Sequence, residues 1–188
     1  MALTPSTMLP LGSSLPGFAL PDGTGRIYRH AELLGPKGLF VIFICNHCPY
    51  VKHINAALAP LGAEFAAQGV GMVAISANDV ANYPADAPEL MVTHAAEHGY
   101  TFPYLYDESQ AVARAFDAAC TPDLYLFDAH GKLTYRGQFD DTRPGGAPAT
   151  GTAIRTAAAA LVAGEPPLTE QLPSVGCNIK WKKADLSK

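Results

Sequence analysis

Basic residues are sparse and scattered in this chain of 188 residues, where 13 Lys and Arg against 17 Asp and Glu leave a formal net charge of -4. The one local concentration, Lys180, Lys182 and Lys183, is too short to be the basic stripe that a nucleic-acid surface requires, so no nucleic-acid partner is expected. Long apolar runs are missing as well. None approaches the roughly 20 residues that cross a bilayer, and no membrane partner is expected. Met1 to Leu20 holds no Lys or Arg, and Pro5, Pro10 and Pro16 interrupt it. A secretory leader needs a charged start and an unbroken apolar stretch, so the expected location is the cytoplasm. Cysteine is scarce too. Cys45, Cys48, Cys120 and Cys177 are too few for a disulfide scaffold in a chain this long, which leaves catalysis, metal binding or simple burial as their roles in a reducing compartment. No repeat and no long linker divides the sequence. What is present, 48% hydrophobic and 16% charged residues, suits one globular domain with a sizeable core.

Phe18–Leu20 and Ile27–Tyr28 flank a turn at Asp22-Gly23-Thr24-Gly25, the pattern of a short hairpin. Gly38 to Ile44 is a continuous apolar run, short and β-rich, as expected of a strand buried on both faces. Beyond Pro49, the residues Val51, Ile54, Leu58, Leu61 and Phe65 step by three and four, which predicts an amphipathic helix closed near Gly69 and kinked at Pro60. Gly71 to Ser76 is a second buried strand. Asp86-Ala87-Pro88-Glu89 reads as a capping box opening a helix that ends near Gly99, and Asp107 to Gln110 repeats the pattern before a helix to about Ala118. Tyr104–Tyr106 is a short strand, Leu124–Phe127 and Leu133–Arg136 form a hairpin, and a last helix spans about Thr150 to Ala163. Near the end, Val175, Cys177, Ile179 and Trp181 alternate with polar residues and glycine, predicting an extended segment with one side against the body. The sum is an α/β domain with a mixed sheet flanked by helices. Its expected parts are an N-terminal extension with a hairpin (1–35), a core (36–163) and a C-terminal tail packed on the core (164–188).

The strongest chemical signal is Cys45-Asn46-His47-Cys48 at a strand-to-helix junction. A thiol at a helix N-terminus meets unpaired N–H groups and the positive end of the helix dipole, which favour the thiolate. Cys45 is therefore the expected nucleophile, exposed and with a depressed pKa. Cys48, entering the helix, is the expected resolving thiol. An imidazole at His47 would further stabilise the Cys45 thiolate. Lys52 and His53 fall on the solvent face of the helix.

The stretch from Cys45 to His53, Cys-Asn-His-Cys-Pro-Tyr-Val-Lys-His, and the tail from Gly176 to Lys182 resemble the thioredoxin superfamily, in its peroxiredoxin-like branch of the redoxin and alkyl hydroperoxide reductase type. The resemblance covers nearly the whole chain and implies a thioredoxin fold and a thiol–disulfide oxidoreductase needing no cofactor. Its implied partners are a protein or small molecule carrying a disulfide, and an electron donor. It further implies that Pro122 is the cis-proline opposite the cysteine pair and that Thr121 offers its backbone to a substrate strand. Asn46 joins Thr121 and Pro122 as an expected substrate contact. Two departures stand out. Thioredoxins carry Trp and a buried acid where this chain has Ile44 and Leu39, so the proton route for resolution is open. Peroxiredoxins carry Pro and Thr at the positions of Val41 and Cys45, so slow or absent peroxidase activity is expected, with thiol peroxidase as the alternative function.

Other signals weigh less. His94-Ala95-Ala96-Glu97-His98 matches a zinc-peptidase pattern, but no third ligand is apparent, and the expectation is an ordinary amphipathic helix without a metal. A Cu(I) chaperone, with Cys45, Cys48 and one of His47, His53 or His130, lacks a diagnostic spacing. Cys120 and Cys177 are possible accessory thiols whose first expected role is packing. Asn78 and Asp79 follow a strand end, where sites of α/β sheets gather, although Asn-Asp also suits a turn.

Overall fold

A computed structural model describes residues 3–183. Its centre is a five-stranded mixed sheet. The strand β4 (Gly38–Phe43) pairs in parallel with β5 (Val70–Ser76), which pairs in parallel with β6 (Tyr104–Tyr106). On its other side β4 pairs antiparallel with β8 (Asp123–Asp128), and β8 with β9 (Leu133–Tyr135). A central position explains the unbroken apolar run. Alternate side chains of β4 enter two separate cores, Phe40 and Ile42 on one face, Leu39, Val41 and Phe43 on the other.

The first core is roofed by α2 (Pro49–Ala67) and α5 (Thr152–Ala163). The α2 residues Val51, Ile54, Leu58, Leu61 and Phe65 are all buried, and the helix runs on through Pro60. Fully burying side chains of this kind stabilises the fold by about 1.5–3 kcal/mol each. The second core is closed by Phe116, Tyr125 and Phe127, with Phe18 from the N-terminal segment. That segment holds the hairpin β2 (Ala19–Pro21) and β3 (Ile27–Arg29), followed by the single turn α1 (His30–Leu33).

Two helix starts differ from expectation. A 3-10 turn at Pro84–Asp86 precedes α3 (Pro88–Glu97), whose N-cap is Ala87. Asp86 does not cap the helix, because its carboxylate is drawn into the cysteine site described below. The next helix, α4 (Ala111–Ala115), begins later and ends earlier than predicted. Its N-cap Gln110 has φ +62°, while Asp107 reaches Ala113 N–H with Oδ2 at 2.8 Å.

The tail forms β10 (Val175–Asn178), the middle strand of a small sheet with β1 (Leu3–Pro5) and β7 (Cys120–Thr121). Cys177 and Ile179 pack inward as the alternation predicts, but Trp181 does not. It is 37% exposed, with the Arg114 guanidinium 4.5 Å above its ring. This apolar ring is covered by a cation rather than by the core.

Candidate active site

Chain order brings β4 to the base of α2, and the five residues Ile44 to Cys48 span the gap. The helix begins at Pro49, so Cys48, not Cys45, is its N-cap. Proline sets this start: its φ is preformed for a helix and its missing N–H costs nothing at the first position. Cys45 lies in the preceding loop. Exposure also differs from expectation, with Cys45 1% and Cys48 0% exposed. The cause is the cover of β7 and β10. Thr121 Oγ1 is 3.6 Å from Cys45 Sγ, and the Cys48 thiol donates to the Thr121 carbonyl at 3.2 Å. Cys177 lies in the same buried cluster as the pair and influences the Cys48 thiol. The Thr121–Pro122 peptide is cis and faces the pair. The Thr121 backbone, the edge implied for a substrate strand, is paired with β10, with Cys177 opposite Thr121.

The two active-site thiols also hydrogen-bond each other, so the pair gives up one proton readily and holds the second. Cys48 is pulled down to about 4, first by the hydrogen bond from Cys45 and against the opposing effect of burial. Cys45 is pushed well above the usual thiol range by the same hydrogen bond, then by burial and the Asp86 carboxylate. The expectation of a depressed Cys45 pKa is thus corrected for the reduced pair: the helix N-terminus serves Cys48, and a carboxylate stands near Cys45.

That carboxylate is the functional group the sequence did not announce. Asp86, fully buried, accepts the backbone N–H of Asn46 at 2.8 Å and of His47 at 3.3 Å on Oδ1. Its Oδ2 lies 2.7 Å from His47 Nδ1 and accepts Asn78 Nδ2–H at 2.8 Å. The same His47 Nδ1 is 3.9 Å from Cys45 Sγ, and the ring stacks on Tyr83 with centroids 5.7 Å apart. Asp86 therefore holds the Cys45–Cys48 loop by its backbone and His47 by its ring. Asn46 is held as well, donating to the Ala85 carbonyl at 2.9 Å and accepting from Tyr104 OH at 3.1 Å. Leu39, at the position where the resemblance implies an acid, is wholly buried among apolar side chains.

Other candidates fall away from the pair. Cys120 is buried, bonded to the Pro122 carbonyl at 3.5 Å, and raised above the thiol range by burial. His53 meets Thr142 Oγ1 at 2.7 Å rather than solvent, and His130 sits in the exposed β8–β9 turn. Asn78 borders the site through Asp86, whereas Asp79 forms its own turn with Ala81 and Asn82. His94 is buried and, with His98, contacts Asn55 of α2. Cys45 Sγ, His47 Nδ1 and an Asp86 oxygen lie within 4.8 Å of one another, close enough to share a cation. His47 and Asp86 spend those atoms on each other, and a hard carboxylate oxygen does not suit soft Cu(I), so the trio does not favour the Cu(I) reading.

The sequence model of the AhpC/TSA family matches residues 11–136. The chain belongs to the AhpC/TSA family. It is a redox enzyme on the thioredoxin fold, with the peroxiredoxin-like character that membership carries. Residues of the chain are 30% identical to the thiol-disulfide oxidoreductase ResA of Geobacillus thermodenitrificans over 131 positions, 69% of this chain and 70% of that protein. Among solved structures, an uncharacterized conserved protein of Geobacillus kaustophilus is 49% identical, with a TM-score of 0.95 over 98% of both chains. A hypothetical protein of Sinorhizobium meliloti is 44% identical, with a TM-score of 0.94 over 96% of this chain and 100% of that one. No helix among the described residues is long and apolar enough to cross a membrane.

Proposed function

We propose that this thiol–disulfide oxidoreductase works through the Cys45–Cys48 dithiol, with Cys45 as nucleophile and Cys48 as resolving thiol, on a protein or small molecule carrying a disulfide. The observation that carries the reading is the setting of the pair: Cys45 Sγ lies 3.6 Å from Thr121 Oγ1 and 3.9 Å from His47 Nδ1, and Cys48 caps the helix that follows. Passing a proton from Cys45 to Cys48 places the charge on Cys45, beside those two groups. The Cys45 thiolate attacks one sulfur of the substrate, forming a mixed disulfide and releasing the other sulfur as thiolate. Cys48 then loses its proton readily, since the helix N-terminus favours its anion. It attacks Cys45 Sγ, and the second substrate thiolate leaves. Resolution on this scheme needs no buried acid at position 39.

Cys48→Ser should accumulate mixed disulfides through Cys45, and Cys45→Ser should trap little. Peptide mapping after incubation with a disulfide substrate reads both. Trapping through Cys48 alone would reverse the roles. One observation favours a second reading, thiol peroxidase: Cys48 is the low-pKa N-cap thiol. Neither Val41 nor Cys45 supplies the hydroxyl or ring that the peroxiredoxin pattern places around a peroxide, so peroxide turnover should be slow or absent. Rapid, saturable peroxide reduction would promote this second reading.

A further inference from the structure

Cys177 is the one thiol outside the Cys45–Cys48 pair that shares its buried cluster, and several independent features hold it there. The register of β10 against β7 sets Cys177 opposite Thr121, and the Thr121 carbonyl is the acceptor of the Cys48 thiol at 3.2 Å. Thr121 Oγ1 also stands 3.6 Å from Cys45 Sγ, so the residue opposite Thr121 in the register, Cys177, faces the same side and lies in one buried cluster with Cys45 and Cys48. The approach depends on Gly176. A Cβ there would stand 2.0 Å from the Thr121 oxygen, so any side chain would lift β10 off the site. Beyond the strand the tail is fastened on both sides. Ile179 N–H donates to the Ala119 carbonyl at 3.1 Å and Lys180 N–H to Asn78 Oδ1 at 2.8 Å. The Lys180 carbonyl accepts from Asp79 N–H at 2.8 Å and from Gln110 Nε2 at 2.9 Å, while Lys182 N–H donates to Gln110 Oε1 at 2.9 Å. This is a built contact, not a loose end brushing the protein. Cys120 has no such placement, since its thiol is turned to the Pro122 carbonyl.

We infer that Cys177 is a third redox thiol of this site, which takes Cys48 over from Cys45 by disulfide exchange. The inference rests on the dithiol reading above. Its step is balanced within the chain. The Cys177 sulfur attacks Cys48 Sγ of the Cys45–Cys48 disulfide, the Cys48–Cys177 bond forms, and the Cys45–Cys48 bond breaks. The Cys177 proton passes to the departing Cys45 sulfur, and no external oxidant or reductant is consumed. In the reduced protein Cys177 is held up at about 11 by burial and by the neighbouring Cys48. Oxidising Cys48 removes its charge, and with it the part of this effect that Cys48 exerts on Cys177. The product regenerates Cys45 as a thiol.

The test uses the whole wild-type protein, oxidised with glutathione disulfide, quenched in acid, alkylated and digested with trypsin without reduction. Cys45 and Cys48 share the peptide between Lys37 and Lys52, and Cys177 lies in the peptide ending at Lys180. The expected result is two oxidised species: the first peptide closed on itself, and the two peptides linked, with fragment ions placing the alkyl group on Cys45. Cys177→Ser should lose the linked species completely, and Cys45→Ser, oxidised with diamide, should still give it. An internal Cys45–Cys48 disulfide with Cys177 alkylated throughout would overturn the third-thiol role and leave the dithiol reading intact. Absence of both disulfides would overturn the dithiol reading and this inference with it.

Discussion

His47 and His94 are both packed close to the N-terminal half of α2, and both interact with residues of that helix or its entry loop. Their partners differ. His47 meets a buried carboxylate, Asp86, at 2.7 Å and presents the same nitrogen to Cys45 Sγ at 3.9 Å. His94 meets only the Asn55 amide, the His98 ring with centroids 4.5 Å apart, and the rings of Tyr100 and Tyr104. Burial first, then His98 and Lys52, pushes His94 down to about 4, with the more distant Asp86 acting the other way. His94 is thus neutral packing near neutral pH, although its sequence context looked like zinc chemistry. His47 is fastened for chemistry by a residue whose context looked like helix capping. Partner geometry, not residue type, separates the two.

The largest expected effect comes from removing the partner that makes the difference. Asp86→Ala removes the acceptor of two half-buried N–H groups and of the Asn78 amide and frees the His47 ring, and should cost about 1–3 kcal/mol of unfolding free energy, the range for leaving buried polar groups unpaired. Asp86→Asn keeps an acceptor and tests the electrostatics instead. The Asp86 charge raises the Cys45 pKa, so its loss should shift the pH profile of Cys45 alkylation downward. A profile that stays in place or moves up would show that Asp86 acts on the loop alone.

His94 should give a smaller and differently shaped response. Its folded pKa lies below the unfolded value, so its contribution is fully present above about pH 6.5 and is lost as pH falls toward 4. A shift of this kind, discounted for the partial solvent access of the imidazole pair, is worth roughly 1–2 kcal/mol. His94→Gln should remove that part of the acid sensitivity in denaturant titrations between pH 4 and 7 and change disulfide exchange less than twofold. A His94→Gln variant as impaired as Asp86→Asn in exchange would erase the contrast between the two sites.

The same contrast shows what the sequence could tell. The apolar run of β4, the three-and-four spacing of α2 and the cysteine pair were legible, because each is a local pattern whose burial or reactivity follows from its own residues. The N-cap was legible in principle, since Pro49 marks the first helical position, although the strand-to-helix position of the motif placed Cys45 at the helix N-terminus. Asp86 was hidden. Asp-Ala-Pro-Glu has the composition of a helix start, and only the packing of the Pro84–Asp86 turn against a loop 39 residues earlier redirects its carboxylate. The placement of Cys177 beside the pair was hidden in the same way, because it depends on β10 pairing with β7 across the fold. Local alternation predicted which side of the tail faces inward, not what it meets there.

The smallest effect tests whether Asp86 alone orients His47. Tyr83 stacks on the imidazole with rings tilted by 10°, and Lys180 from the fastened tail places Nζ 5.5 Å from the other ring's centroid, over Tyr83. Tyr83 is 39% exposed, so the stack works near solvent, where an aromatic contact contributes about 0.5–1 kcal/mol. Tyr83→Leu should slow thiol–disulfide exchange about two- to fivefold, the rate equivalent of that energy, while Tyr83→Phe, which keeps the ring, should match the wild type. The decisive measurement is the double variant with Asp86→Asn. If carboxylate and ring fix one imidazole orientation together, the second substitution costs less once the first is made, because the ring is already loose. Strict additivity would mean that the Tyr83 stack contributes to packing alone and that the orientation of His47 belongs to Asp86.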